Sequence, residues 1–208
     1  MKTLKTIFAA GLVLISHGLF AQADNNDTEA GTHPLVVTVP TVIILDVYDA
    51  ATDADATTIN FDMADVMVSG TNKEAGIYNF NDVDYTGLWL NYTSVIANGG
   101  LSRKITVEYT GTLPPSVDLR ITPVAPVLEA AANGTTASAG SVVAAGVVLG
   151  ETNAAGVVLD LVTSIESVYT GDETFGVALT YTLEQNGNFA DYEADTYNSD
   201  LIYTLTEM

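Results

Sequence analysis

Between residues 103 and 110 apolar and polar side chains alternate: Ile105, Val107 and Tyr109 on one side, Lys104, Thr106, Glu108 and Thr110 on the other. Successive side chains of an extended strand point to opposite faces, so a period of two predicts a half-buried β-strand. The pattern recurs three times. Val117, Leu119 and Ile121 share one face of "VDLRI". Val177, Leu179, Tyr181 and Leu183 share one face of "FGVALTYTLEQ", and Leu201, Tyr203 and Leu205 one face of "DLIYTLTE". Leu88–Ala97 ("LWLNYTSVIA") reads as a further strand, closed by the turn residues Asn98-Gly99-Gly100.

The remaining elements are less regular. Leu35–Tyr48 is rich in β-branched residues but interrupted by Pro40, which cannot donate to a ladder. It predicts an edge strand, a bulged strand or two short strands. "INFDM" (59–63) predicts a short strand, and "SVVAAGVVLG" and "GVVLDLV" predict two core strands. Residues 128–140 are small and weakly patterned. The Ala run there has room for one helical turn, but Asn133-Gly134 favours a loop. Eight to ten strand segments, with no amphipathic helix after the first 23 residues, predict an all-β chain. The architecture that best buries so many one-sided strands is an antiparallel β-sandwich, immunoglobulin-like in its layering. The triplet Tyr-Thr-Leu occurs at 181–183 and again at 203–205. The segment between is long for a hairpin, so the two strands are either neighbours or members of facing sheets.

Ahead of these strands, Lys2 and Lys5, the apolar run Ile7–Ile15 and Ala21-Gln22-Ala23 have the layout of a secretory signal peptide. The expected organisation is a signal peptide over 1–23, a flexible acidic lead-in over 24–34 and one β-sandwich domain over 35–208. An exported protein is expected at the cell surface, in a periplasm or outside the cell. No later stretch approaches the ~20 apolar residues of a spanning helix, so membrane insertion is not expected.

Charge narrows the partners. The net charge is −20, and −22 once Lys2 and Lys5 have left with the leader. Such a surface repels phosphate backbones and anionic lipid, which argues against nucleic-acid or membrane partners. Lys104 and Arg120 sit on or beside polar strand faces, and the basic spots around 103–104 and 120 read as solvated or paired. The chain has no cysteine, which removes disulfides, thiol catalysis and cysteine metal sites.

Candidate chemistry is sparse. The one histidine beyond the leader, His33, stands before Pro34 in the lead-in, so no nucleophile–base set or nitrogen-rich zinc site assembles without it. The single tryptophan, Trp89, lies in "LWLNY", where an alternating strand buries either it or its two leucine neighbours. No catalytic or cofactor-binding residue is expected. Metal ligands stay unassigned, with calcium as the one candidate: Asp49, Asp53 and Asp55 share one acidic loop, and Asn79, Asn81, Asp82 and Asp84 another. Closely spaced side-chain oxygens suit a hard cation, although neither loop has the glycine and terminal glutamate of a helix-loop-helix calcium site.

The stretch from Ser164 to Met208, and "LWLNYTSVIANGG" with it, resembles bacterial fimbrial-type and spore-coat-protein-U-like β-sandwiches, in which a Tyr/Thr-rich strand also closes the chain. Tyr203-Thr204-Leu205 is similar to the Trp-x-Leu signature of WxL cell-wall-binding domains, with tyrosine in place of tryptophan. "LFAQA" is similar to the signal ends of Bacteroidota-type bacteria. The resemblance implies a fimbrial-subunit-like sandwich and a non-enzymatic structural protein of a surface layer, coat or fibre. It further implies self-association or contact with other surface proteins. A secreted adhesin or carbohydrate-binding module is the alternative.

Overall fold

Alternation turns into ladders wherever it is strictest. The computed structural model describes residues 34–208 except 57, 65–67, 70, 71, 74–83 and 192. Its strands are β1 (Val42–Asp49), β2 (Ala54–Asp55), β3 (Val68–Ser69), β4 (Asn72–Lys73), β5 (Asp84–Val95), β6 (Arg103–Gly111) and β7 (Val117–Pro123). They continue with β8 (Ser141–Val142), β9 (Val147–Leu149), β10 (Leu159–Ile165), β11 (Val168–Tyr169), β12 (Val177–Gln185) and β13 (Ser199–Glu207). Helical residues among those described are confined to short 3-10 turns such as Ala131–Asn133.

Two antiparallel sheets pack face to face. One runs β2-β1-β5-β12-β7-β9, with β11 also on β5; the other runs β13-β6-β10-β8. A separate hairpin joins β3 to β4. The inward faces are those the alternation predicts: Ile105, Val107 and Tyr109; Val117, Leu119 and Ile121; Val177, Leu179, Tyr181 and Leu183 are all buried. Leu88 and Leu90 are buried while Trp89 turns to the outer face. The all-β antiparallel sandwich is borne out. The Tyr-Thr-Leu question is settled too: β12 and β13 lie in different sheets, facing one another.

One glycine re-phases a strand. β12 pairs Leu179 with Leu88 and Thr180 with Thr86, skipping Gly87, whose φ is +103°. A left-handed φ is open to glycine at little cost, and the extra residue makes a bulge. The bulge breaks the period of two, so that Tyr85 and Leu88, three positions apart, both pack on the core.

"SVVAAGVVLG", expected as one core strand, divides into β8 and β9 in different sheets. Three further expectations change. Leu35–Val39 carries no strand; the ladder begins at Val42, two residues beyond Pro40. Residues 34–39 belong to a separate contact unit ending at Val39, and within it Leu35 and Val36 are 81% and 85% exposed. "INFDM" is not a strand either. Ile59, Phe61 and Met63 pack singly against the core from a loop. Arg103 is the third. It is in phase with Ile105, Val107 and Tyr109, and it is buried at 1% exposure rather than solvated or ion-paired. Lys104 and Arg120 do pair, with Asp160 at 2.8 Å and with Glu184 at 2.5 and 2.9 Å.

Candidate binding cleft and sheet edges

β13 ends the strand order of one sheet, while β1, covered at one end by β2, lies next to the end of the other, and the two strands approach each other. The direction of their backbone groups follows from register. Met208 N–H donates to the Ser102 carbonyl and Thr112 N–H to the Asn198 carbonyl. Bonded pairs alternate along an antiparallel ladder, so the even-numbered residues of β13 bond β6. The N–H and C=O groups of Ser199, Leu201, Tyr203, Leu205 and Glu207 therefore point away from the sheet. On β1, Ala50 N–H donates to the Gly87 carbonyl, which by the same logic turns Ile43 and Leu45 outward. Among the described residues no strand pairs with β13 beyond β6, and β2 covers only the Tyr48–Asp49 end of β1.

Between the sheets, below these edges, lies a cleft of about 790 Å³. Its apolar wall includes Val47, Phe61, Leu88, Leu183 and Leu201. Tyr181 and Tyr203, from facing sheets, meet in it with their hydroxyl oxygens 2.7 Å apart. A hydroxyl pair bonded only to itself spends one of its two protons, leaving one O–H donor for an acceptor in the cleft. The core-facing side chains of Leu201 and Tyr203 are only half-buried, whereas Leu205 is 8% exposed.

Burial raises the hydroxyl pKa of Tyr181, of Tyr203 and of Tyr92, whose hydroxyl donates to the Ala139 carbonyl at 2.5 Å. The unfolded chain ionises its tyrosines near pH 10 while the fold holds these three protonated. The sign follows from proton counts: above pH ~10 the native state binds more protons than the unfolded one, so stability falls with pH. Urea stability should therefore be unaffected by these groups below pH ~10 and decline above it, with tyrosinate absorbance appearing together with unfolding. Full tyrosinate absorbance from a chain that keeps its strand circular dichroism would contradict this.

The described acids of these loops take separate partners. Asp49 is buried at the end of β1, accepting from Ala51 N–H (2.9 Å) and the Tyr85 hydroxyl (3.3 Å). Asp53 accepts from the Tyr48 hydroxyl at 2.7 Å, Asp55 is exposed in β2, and Asp84 is exposed at the start of β5. Asn79, Asn81, Asp82 and His33 lie outside the described residues. Among the described residues no group of three or more acids or histidines could hold a metal ion.

Three polar arrangements escaped the sequence reading. Arg103 donates to the carbonyls of Val42 and Val95 and to Ser94 Oγ, tying β1, β5 and β6 together, and its Nε has no partner. Its phase with Ile105 was the available signal. Asp118, 3% exposed, accepts from Thr152 Oγ1 and Asn186 Nδ2, each at 2.7 Å, pinning two loops to β7. On the outer face of the larger sheet, Tyr48 and Trp89 stand directly opposite one another, both half-buried. Nearby, Asn91 Nδ2 holds the loop after β11 through the carbonyls of Glu173 and Phe175. Apart from the phase of Arg103, none of these was readable from local pattern, because each joins residues of different elements.

No helix among the described residues is long and apolar enough to cross a membrane. Comparison with known proteins gave no matching family model, no matching curated protein and no matching solved structure.

Proposed function

We propose that the protein is a non-enzymatic exported structural subunit that associates with copies of itself, or with other surface proteins, in a cell-surface layer, coat or fibre. The observation that carries this reading is that, among the described residues, the outer sides of β13 and of the first half of β1 have no strand partner, and both strands line an apolar cleft. Edge strands are templates for further pairing, and folded proteins usually blunt them with lysine, proline, bulges or short length. Neither edge has a lysine or proline, and each keeps unbroken register with its neighbour over eight residues in β1 and nine in β13. The leader-like first 23 residues and the fimbrial and coat-protein resemblance support the same reading.

Negative-stain microscopy of protein purified from cells expressing the full sequence tests it. Fibres, sheets or ordered particles are the expected result. Single-chain particles at every concentration would reject it.

A second reading, a secreted adhesin or carbohydrate-binding module, is favoured by the Tyr48–Trp89 pair. Paired aromatic faces on an open sheet suit the apolar faces of sugar rings. Trp89 is the only tryptophan, so a saccharide bound there would shift the whole indole emission.

A further inference from the structure

We infer that β13 is a self-complementary joint: it pairs antiparallel with β13 of a second copy, about a two-fold axis at Tyr203. The inference rests on the assembly reading above and names its contact.

The geometry selects this register. The outward backbone groups belong to Ser199, Leu201, Tyr203, Leu205 and Glu207. A two-fold at Tyr203 matches this odd-numbered set with itself: Tyr203 with Tyr203, Leu201 with Leu205, Ser199 with Glu207. Every outward donor and acceptor of the strand then finds a partner. Centring the axis on Leu201 or Leu205 instead leaves the far end of the strand unpaired.

Side chains agree with the backbone. Residues directly opposite across an antiparallel pair share a face. On the outer face the Tyr203 axis sets Ile202, 39% exposed, against Thr204 of the second copy, and Asp200 against Thr206. No acid meets an acid, which matters for a chain of charge −20 whose copies otherwise repel. Lys104 pairs with Thr206 in the β6 register, so each Asp200 comes within two strand spacings, about 10 Å, of the second copy's Lys104. On the inner face the joint covers Leu201 and Tyr203, which one chain leaves incompletely buried beside the cleft. The four-stranded sheet becomes eight-stranded across the axis. An isologous contact of this kind closes a dimer, so extended assemblies need a second, different contact.

The absence of cysteine makes a direct test possible. Ile202→Cys and Thr204→Cys each alter one exposed side chain and leave the core intact. In the Tyr203 register residues 202 and 204 of different copies form a non-bonded pair with Cα atoms about 4.5 Å apart, inside disulfide range. Like residues (202 with 202, 204 with 204) are displaced by two positions and lie outside it. Under mild oxidation a mixture of the two variants should give covalent dimer, and either variant alone should give none above background. Dimer formed equally by single variants would overturn the Tyr203 axis. No covalent dimer from a mixture that still forms ordered assemblies by microscopy would overturn the joint and leave the assembly reading standing. No covalent dimer from protein that stays single-chain would remove both.

Discussion

Removing residues 200–208 is expected to leave a chain that is insoluble or unfolded. β13 supplies the whole outer ladder of β6, from Gly111 to Arg103. Its loss strips Leu205 from the core and half-buried Leu201 and Tyr203 from the cleft wall. A fully buried side chain of this size contributes roughly 1.5–3 kcal/mol and a half-buried one about half that, so the three together amount to roughly 3–6 kcal/mol. Domain stabilities are about 5–15 kcal/mol, so a loss of this size takes a large share of the total. The truncation also orphans the Tyr181 hydroxyl and bares β6 as a new edge. Solubility and circular dichroism of the truncated protein decide the matter. A soluble chain with an unchanged strand spectrum would mean that β13 is peripheral to the fold.

Arg103→Ala is expected to be the most damaging single substitution of a polar residue. The guanidinium is buried among three acceptors, the Val42 and Val95 carbonyls and Ser94 Oγ, with no carboxylate among its described partners. Hydrogen bonds to charged groups contribute about 1.5–3 kcal/mol each net, and full burial of the cation lowers that gain. Truncation additionally opens a cavity and leaves the acceptors unsatisfied, so a net loss of roughly 3 kcal/mol or more is expected. Arg103→Lys should fall between wild type and alanine, because one ammonium on a flexible stem cannot reproduce the fork. Urea midpoints of the three proteins test the order. Equal midpoints would show that hydrogen bonding and desolvation cancel at this site.

The strands were legible wherever burial is one-sided. The Ile105, Val107, Tyr109 series and its counterparts in β7 and β12 appear in the structure on the faces predicted, because a strand with one wet face has to alternate. Legibility failed where a second partner decides the outcome. Leu35–Val39 has the same β-branched character as β1 but no ladder, since propensity alone does not supply a neighbouring strand. Ile59, Phe61 and Met63 alternate like a strand yet reach the core from a loop. Within the first acidic loop, Asp49 and Asp53 accept from different hydroxyls, those of Tyr85 and Tyr48.

By itself, then, the order of residues determined the class of the fold, the inward faces of β6, β7, β12 and β13, and the lack of cysteine. Those properties depend on side-chain chemistry and a period of two, both of which are local. Tertiary structure alone decided that the two Tyr-Thr-Leu strands face each other across the core with their hydroxyls joined. It also decided that Arg103 serves as an internal clamp and that, among the described residues, no strand pairs with β13 beyond β6. Which strands become neighbours is set by how all the apolar faces are covered at once, a global condition that no single stretch of sequence encodes.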